Sequence, residues 1–375
     1  MAKGRPWFKR LDSRMTQIGQ ITNMVKQAAS GAGFELAGIA PVREFGELDR
    51  FREWINAGRA GEMKYMEARN ESGILKRASL RSTLPWVRSV IVCAINYNTA
   101  QPYSTQANDP QRGWIARYAW GKEDYHNAVM RRLRAVESSL RVAAGESEPE
   151  LQTRCYVDTG PLVERVYAKY SGVGWIGKNT CIINQKLGSW LFLGVILTSM
   201  ELTPDLPAPD RCGTCTRCID ACPTDALVAP YQLDSNRCIS YLTIEKRGAI
   251  AEDLRAGMGH EVFGCDICQD VCPWNRKAPT TTAAEFQPRE GLVNPALEWL
   301  AGMTDDQFRE KFRGSAIRRA KRSGLRRNAV IAMGNSGDRN FGPLLEKLKL
   351  DEDPAVRESA EWAAKRLAME SPRTA

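Results

Sequence analysis

The sequence predicts an α+β protein built from three consecutive parts. Residues 15–205 alternate stretches of helical apolar spacing with stretches rich in β-branched and aromatic residues. Residues 206–280 are loop-rich and dense in cysteine, and residues 281–375 have helical spacing. These observations predict a mixed N-terminal domain, a small cysteine-containing domain and an all-α C-terminal domain. A disordered basic extension, residues 1–14, is expected before a first helix that begins near Met15.

The elements of the first domain follow from the apolar patterns. Three prolines between residues 201 and 211 predict the linker into the cysteine region. The predicted helices are residues 48–58 and 123–144. The predicted strands are residues 87–97, 151–158 and 189–199.

The C-terminal part contains a weak internal repeat. Superimposing LRRNAVIAMGNSGD on VRESAEWAAKRLAM places Arg326 on Arg357 and Ala329 on Ala360, a period of 31 residues. Asp353-Pro354 opens the second copy. The pattern resembles HEAT-type helical repeats, which stack to bury their apolar faces. An ordinary helical hairpin is the alternative.

The net charge of +9 is concentrated in one segment. Between Lys311 and Arg327 there are eight basic residues and no acidic residue. Such a stretch indicates a polyanionic partner, most commonly nucleic acid. A solvated helix face is the alternative interpretation.

The composition also limits the location of the protein. The longest apolar run, Trp190–Leu197, is far shorter than the roughly 20 residues that span a bilayer. The N-terminus lacks the apolar segment of a secretory signal. We therefore expect a cytoplasmic protein without membrane contact, in which the eleven cysteines bind metal rather than form disulfides.

Eight cysteines between 212 and 272 follow the spacing of two 4Fe–4S clusters. The first run is C-x2-C-x2-C-x3-C-P, in which three thiolates bind one cubane and the fourth binds the other. The second run ends in Cys-Pro as well, but its first ligand has moved upstream. A pair of structural zinc sites is the closest alternative. The predicted ligand sets are Cys212, Cys215, Cys218 and Cys272 for one cluster, and Cys222, Cys238, Cys265 and Cys268 for the other.

Two adjacent cubanes conduct single electrons, so a redox cofactor is expected at the end of the path. A non-catalytic electron carrier on a helical scaffold is the alternative from another class. Cys93, Cys155 and Cys181 lie outside the cluster region in apolar contexts and are expected to be buried core thiols.

An ordered set of motifs between Met15 and Leu367 resembles the cobalamin-dependent epoxyqueuosine reductases. The resemblance implies a nitroreductase-like, cobalamin-binding N-terminal domain, a ferredoxin-like domain with two clusters, and a HEAT-like tail. It also implies a base-off cobalamin, an external electron donor of the reductase, flavodoxin or ferredoxin type, and tRNA with a GUN anticodon as substrate. A monomer is expected. The motifs are RYAWGKEDYH (117–126), VDTGPLVER (157–165), SGVGWIGKNT (171–180), RCISYLT (237–243) and FGCDICQDVCPWN (263–275).

The reaction that the resemblance implies is reduction of an epoxide to an alkene at the wobble position, the last step of queuosine biosynthesis. Two electrons and two protons are consumed, so a proton donor is required. By resemblance this donor is Asp158; the alternative is that Asp158 only caps the helix that follows Pro161. The positions that the family places around the corrin are Arg77, Ala116, Asp158, Asn179, Ile182, Leu193, Ser240, Cys265 and Asp266.

The remaining predictions concern RNA and the two histidines. Arg318, Arg319, Lys321 and Arg322 are expected to contact tRNA phosphates. His126 has Val129 where a histidine-on cobalamin motif needs glycine, so it and His260 are expected to be structural. A dehalogenase-like reductase of a small molecule is the competing enzyme, but a neutral substrate gives no reason for the basic segment.

Overall fold

The computed structural model describes residues 6–145 and 148–369. In these ranges regular helices and strands are joined by short 3-10 turns. The helices are α1 (Pro6–Gly31), α2 (Gly46–Asn56), α3 (Leu80–Thr83), α4 (Tyr125–Ala144), α5 (Glu164–Tyr170), α6 (Arg217–Asp220), α7 (Ile239–Ile244), α8 (Glu252–Arg255), α9 (Ile267–Asp270), α10 (Leu297–Gly302), α11 (Asp305–Lys311), α12 (Lys321–Ser336), α13 (Gly342–Leu348) and α14 (Pro354–Met369). The strands are β1 (Leu36–Pro41), β2 (Ser89–Asn96), β3 (Trp114–Ile115), β4 (Thr153–Tyr156), β5 (Trp175–Ile176), β6 (Ile182–Ile183), β7 (Leu191–Thr198), β8 (Leu227–Ala229), β9 (Gln232–Leu233) and β10 (Glu261–Phe263).

The N-terminal domain is an antiparallel sheet in the order β1-β2-β7-β4, with helices on both faces. Every residue of β2 is buried. Successive side chains of a strand point to opposite faces, so Ile91 and Cys93 pack under α1 and α4, while Val90 and Val92 pack under α5. The predicted helices and strands of this domain are confirmed. Cys93 and Cys155 are buried core thiols, as predicted.

The N-terminal extension was predicted incorrectly. Helix α1 begins at Pro6, so residues 6–14 are helical rather than disordered. Proline is favourable in the first turn of a helix, and no glycine or further proline interrupts the chain before Gly19. Once a helix is nucleated, each added residue gains one hydrogen bond. Residues 1–5 lie outside the described residues.

The C-terminal helices share their hydrophobic core with segments of the other two parts. Strand β3 of the first domain pairs in parallel with β10 of the cysteine region. Trp114 of β3 and Phe263 of β10 belong to the same apolar cluster as α10, α12 and α14. Arg327 of α12 is buried and donates to the carbonyls of Leu242 and Gly248, at 2.7 and 2.6 Å. The three parts of the chain therefore pack closely against one another.

The two predicted repeat helices lie within α12 and α14 and pack against each other. The aligned Ala329 and Ala360 are both fully buried. A Cβ on Gly334 would lie 2.7 Å from the Trp362 ring, so only glycine permits this close approach. Asp353 Oδ1 accepts the Ala355 N–H at 2.9 Å, which confirms that Asp353-Pro354 opens the second helix. Among the described residues, no helix is long and apolar enough to cross a membrane.

Candidate active site and cluster ligands

Asp158 lies in the turn that follows β4. Its backbone has φ 60°, a left-handed conformation that costs a residue other than glycine free energy and is often found at functional sites. Helix α5 begins six residues later with Val163 as its N-cap and has no side-chain cap. The alternative that Asp158 caps this helix is therefore wrong. Its side chain is 53% exposed and free to face a ligand.

Two side chains at the beginning of α4 lie beside the Asp158 carboxylate, and a third positions one of them. Tyr125 donates a hydrogen bond from its hydroxyl to Asp158 Oδ2. His126 Nε2 lies 3.9 Å from the same oxygen, and its Nδ1 lies 2.8 Å from Asp124 Oδ1. The helix-capping hydrogen bond from the His126 N–H to Asp124 places the ring there. His126 faces the candidate active site, so the prediction of a purely structural role overlooked this position.

Arg77 fixes the backbone of the Asp158 turn from the other side. Its guanidinium donates to the carbonyl of Leu162 at 3.0 Å and to that of Asp158 at 3.4 Å. Nearby, Glu164 Oε1 is buried without a hydrogen-bond partner, although the rest of that side chain is partly exposed. Burial, reinforced by the charge of Asp158, raises the pKa of Glu164 to about 7. Two carboxyl groups thus interact at this turn.

The opposite side of the site comes from the cysteine region and the C-terminal domain. Arg319 Nε pairs with Glu245, and its guanidinium lies 5.4 Å from the centre of the Tyr65 ring. Burial raises the pKa of Tyr118, and the charges of Asp158, Asp266 and Glu245 raise it further. Charges from all three parts of the chain, including Arg319, therefore act on the Tyr118 hydroxyl. The sequence alone did not predict Tyr65, Tyr118 or Glu245 here.

Among the first four predicted cluster ligands, Cys212 packs against the apolar cluster that contains the buried Cys272. Burial raises the pKa of Cys218 to about 11, with contributions from Cys212 and Cys215. The pKa of Cys272 is also raised to about 11 by burial, with contributions from Cys212 and Cys218. Four thiolates around one space are the donor set of a 4Fe–4S cluster. In the part of the chain that the structure describes, no three or more histidine, cysteine or acidic side chains are arranged to hold a metal ion, so the grouping stays a prediction.

The second predicted group lies beside the loop that carries Cys181, because Asn179 Nδ2 of that loop donates to the Cys268 carbonyl. Burial raises the pKa of Cys238, and Cys222 contributes. The neighbouring thiol of Cys181 and burial raise the pKa of Cys268 well above its usual value, with contributions from Cys265 and Cys238. Cys181 was expected to be a buried core thiol, but it is only partly buried, and its N–H donates at 3.2 Å to the side chain of Asn179, which in turn donates to the Cys268 carbonyl. In the sequence, the one signal of this location was that Cys181 lies two residues after Asn179.

The loop from Gly177 to Cys181 joins the first domain to both cysteine groups. Lys178 Nζ donates to the carbonyls of Gly213 and Cys215, at 2.7 and 3.0 Å. Asn179 Nδ2 donates to the Cys268 carbonyl at 3.3 Å. The motif GKNT thus docks the cysteine region on the mixed domain.

The predicted corrin contacts fall into two groups. Arg77, Asp158, Leu193, Ser240 and Cys265 are at least partly exposed and could touch a bulky ligand. The second group is buried, and Ala116 is only 1% exposed, with Gly264 against it. Asp266 Oδ2 is occupied by the Trp114 indole N–H and the Arg117 N–H. The buried residues, which would support a ligand from behind, are Ala116, Asn179, Ile182 and Asp266.

The basic segment is divided between structural and exposed side chains. Arg322 is 19% exposed and pairs with Asp305 and Glu352, at 2.8 and 2.9 Å. Arg326 is buried and pairs with Asp351. Arg318 and Lys321 are exposed at the surface. Of the eight cations in the segment, four are exposed to solvent, namely Arg313, Arg318, Arg319 and Lys321.

Comparisons with known proteins first define a class. A model described as "4Fe-4S double cluster binding domain" matches residues 211–275. The chain is therefore an iron–sulfur protein of the two-cluster type. A second model, "Epoxyqueuosine reductase QueG, DUF1730", matches residues 77–159, which include Asp158 and the α4 residues beside it.

Full-length relatives then identify the family. An epoxyqueuosine reductase of Synechocystis sp. is 46% identical over 301 residues, covering 78% of this chain and 98% of the relative. One from Pseudomonas aeruginosa is 39% identical over 354 residues, covering 92% and 94%. The chain belongs to the epoxyqueuosine reductase family.

Solved structures agree with this assignment. A selenomethionine-labelled epoxyqueuosine reductase matches with a TM-score of 0.83 and 30% identity, over 93% of this chain and 90% of that one. A second, with a TM-score of 0.81, 31% identity and the same coverage, holds a tRNA-Tyr epoxyqueuosine-modified stem loop. A third, from Bacillus subtilis, has the loop of its catalytic aspartate swung out of the active site; its TM-score is 0.81 at 29% identity, over 93% of this chain and 90% of that one.

Proposed function

We propose that this chain reduces the epoxide of epoxyqueuosine in tRNA to the alkene of queuosine. The observation that carries the proposal is the position of Asp158. A half-exposed carboxylate on a strained turn accepts a hydrogen bond from Tyr125 and lies 3.9 Å from His126 Nε2, within the region that matches the family model. A related structure that holds a modified tRNA stem loop supports the substrate class.

The two cysteine groups would hold the 4Fe–4S clusters. Their thiol donors suit iron, and the matched domain is described by its two clusters. Bound there, the clusters would supply single electrons from an external donor. The proposed ligands are Cys212, Cys215, Cys218 and Cys272, and then Cys222, Cys238, Cys265 and Cys268.

A base-off cobalamin is proposed beside the second cysteine group. The partly exposed Arg77, Leu193 and Ser240 come from distant parts of the sequence and suit a large ligand between the domains. Asn179, Ile182 and Asp266 would hold the surrounding backbone, and the methyl group of Ala116 offers no ligand atom to a metal. A bound cobalamin would supply the centre that transfers electrons to the epoxide.

Asp158 would supply protons to the departing oxygen. The Tyr125 hydrogen bond orients its carboxyl group, and Arg77 holds the backbone of its turn. General acids of this kind contribute about 10²–10⁴-fold to rates. A wobble base in an anticodon loop can be splayed into such a site at low cost, because it is not paired.

We propose that the exposed basic side chains hold the phosphates on either side of the modified base. Arg318, Arg319 and Lys321 are exposed, and Arg319 lies beside the site through its pairing with Glu245. Arg322 belongs to the original prediction, but its two carboxylate partners favour a structural role. A tRNA with a GUN anticodon remains the proposed substrate.

The finer architecture is proposed on the basis of the resemblance to the epoxyqueuosine reductases. We assign a nitroreductase-like cobalamin domain to residues 15–205, a ferredoxin-like domain to 206–280 and a HEAT-like domain to 281–375. The close packing of α12 and α14 supports the last assignment. A cytoplasmic monomer that takes electrons from a ferredoxin-type or flavodoxin-type donor completes the proposal.

The deciding experiment is turnover by the purified protein. After anaerobic purification we expect about eight irons per chain. With added cobalamin and a chemical reductant, the protein should convert an epoxyqueuosine-modified stem loop, and omission of cobalamin should abolish conversion. Full iron and cobalamin content without conversion would contradict the proposed reaction and favour an electron carrier. Turnover of an organohalide but not of the stem loop would favour the small-molecule alternative.

A further inference from the structure

We propose that His126 is a positioning residue that reloads Asp158 with a proton during each turnover, and that Asp124 holds it for this task. The inference rests on the proposed donor role of Asp158. It adds a proton path from solvent to that carboxyl group, which neither the sequence motifs nor the comparisons assign.

The stoichiometry of the reaction creates the need for such a path. Conversion of an epoxide to an alkene breaks two C–O bonds to the same oxygen and releases water. Two protons must therefore reach one atom, while a single carboxyl group carries one proton. Asp158 has to be reprotonated between the two bond cleavages, or a second donor must reach the oxygen.

The geometry places His126 where it could perform this reloading. Its Nε2 is 3.9 Å from Asp158 Oδ2, and its Nδ1 is 2.8 Å from Asp124 Oδ1. A small rotation of the half-exposed Asp158 side chain, or one bridging water, would close the gap. The His126 side chain is 38% exposed, so solvent can reprotonate the ring.

The surroundings of the ring favour the protonated form. The charged groups that face it are Asp124, Asp158 and Arg319, and the Tyr125 ring lies 4.1 Å away, centre to centre. Burial lowers the pKa of His126, but the Asp124 hydrogen bond and the charges of both aspartates outweigh burial and Arg319. The net pKa lies above the ordinary value, so a proton is available near neutral pH.

The sequence of proton transfers balances. Asp158 gives its proton to the departing oxygen as the first C–O bond breaks. The His126 imidazolium then passes its Nε2 proton to the Asp158 carboxylate, which protonates the oxygen again as the second C–O bond breaks and water leaves. The clusters and the cobalamin would supply the two electrons when bound, and solvent reprotonates the neutral imidazole.

The test compares His126→Asn with the wild-type holoenzyme across pH. Asparagine retains a hydrogen bond to Asp124 but carries no transferable proton at that position. Wild-type activity should fall as the pH rises above the His126 pKa. In His126→Asn we expect kcat to be lower by about tenfold or more and this fall with pH to be absent. Added imidazole should restore part of the rate. His260→Asn, which changes the other histidine of the chain, should leave the pH profile unchanged.

A second measurement does not depend on turnover. The pH dependence of diethylpyrocarbonate modification, followed on the peptide that contains His126, reports its pKa directly. Asp124→Asn should shift this dependence to lower pH.

The outcomes separate this proposal from the one on which it rests. Wild-type turnover in Asp158→Asn would remove the donor role itself. If Asp158→Asn is inactive while His126→Asn retains the wild-type rate and profile, only the relay is wrong. A His126→Asn variant that loses rate but keeps the pH dependence, or gains nothing from imidazole, would also overturn the relay. An unchanged modification profile in Asp124→Asn would do the same.

Discussion

The Tyr125 hydroxyl donates a hydrogen bond to Asp158 Oδ2. The Tyr125 ring is stacked on Phe192 of the central sheet, with ring centres 4.4 Å apart and planes 3° apart. Burial raises the pKa of Tyr125 well above its ordinary value, so the phenol remains a donor near neutral pH. Through Tyr125, the central strand β7 thus positions the Asp158 carboxylate, which lies on an exposed turn.

Asp158→Asn should retain the fold, the clusters and any bound cobalamin but lose about 10²–10⁴-fold in kcat. Asparagine is nearly isosteric and tolerates the left-handed backbone at this position, so the variant removes only the transferable proton. Single-turnover conversion of the modified stem loop measures the effect, with iron content as the control. An unchanged rate would assign the proton to another group or to water.

Tyr125→Phe should reduce turnover by a smaller factor. It deletes one hydrogen bond to the carboxylate but leaves the acid in place, and a hydrogen bond to a charged group contributes about 1.5–3 kcal/mol. The same assay should rank the wild type above Tyr125→Phe and Tyr125→Phe above Asp158→Asn. The reverse order of the two variants would indicate that the tyrosine itself is the donor.

Glu164→Gln should stabilise the protein more at high pH than at low pH. The folded-state pKa of about 7 exceeds the ordinary value of 4.5, so the folded state binds more protons between these values. As pH rises from about 4.5 to 7, the wild type loses stability that the variant does not lose. The difference in Tm between variant and wild type should therefore grow through this range and then level off. A constant difference from pH 5 to 8 would show that Glu164 titrates normally.

Much of the scaffold could be predicted from local patterns. The strand 87–97 and the helix 123–144 were found because burial on both faces and helical spacing leave clear signals. Spacing also predicts which cysteines bind the same cluster, because a cubane restricts which thiolates along a loop can share it, and this grouping stays a prediction. The beginning of α1 was predicted to be disordered, but a basic composition does not prevent a helix from extending.

The active site was only partly predictable because it forms between distant segments. Tyr65, Glu245 and Arg319 approach one another only after three parts of the chain pack together. The basic segment shows the same limit. Its residues have equal charge in the sequence, but Arg326 and Arg327 turn inward and Arg318 turns outward.

Replacing a cluster cysteine should affect one cluster at a time. Cys215→Ala should remove about four irons and leave the spectrum of the group that contains Cys265, whereas Cys265→Ala should do the opposite. Metal analysis and electron paramagnetic resonance of the reduced proteins measure this. The matched control is Cys93→Ala, a buried thiol of the sheet, which should retain both clusters. If metal analysis finds two zinc ions per chain in the wild type instead of iron, the cluster assignment is contradicted.

The exposed cations should contribute to tRNA affinity in a salt-dependent way. Arg318 and Lys321 are exposed and could neutralise phosphates. We expect Arg318→Ala combined with Lys321→Ala to weaken binding of a tRNA stem loop. The slope of log affinity against log salt should become shallower by about 0.7–0.9 per lost contact.

Arg322→Ala is the matched control for that double variant, because it removes a cation from the same segment. Its pairing with Asp305 and Glu352 predicts a lower Tm with little change in the salt slope. Turnover of the isolated modified nucleoside should be equal in the wild type and the double variant, because phosphates are absent from that substrate. If the double variant binds the stem loop with wild-type affinity and slope, Arg318 and Lys321 belong to a solvated helix face. A shallower slope in Arg322→Ala would instead show that this arginine exchanges its carboxylate partners for phosphate when RNA binds.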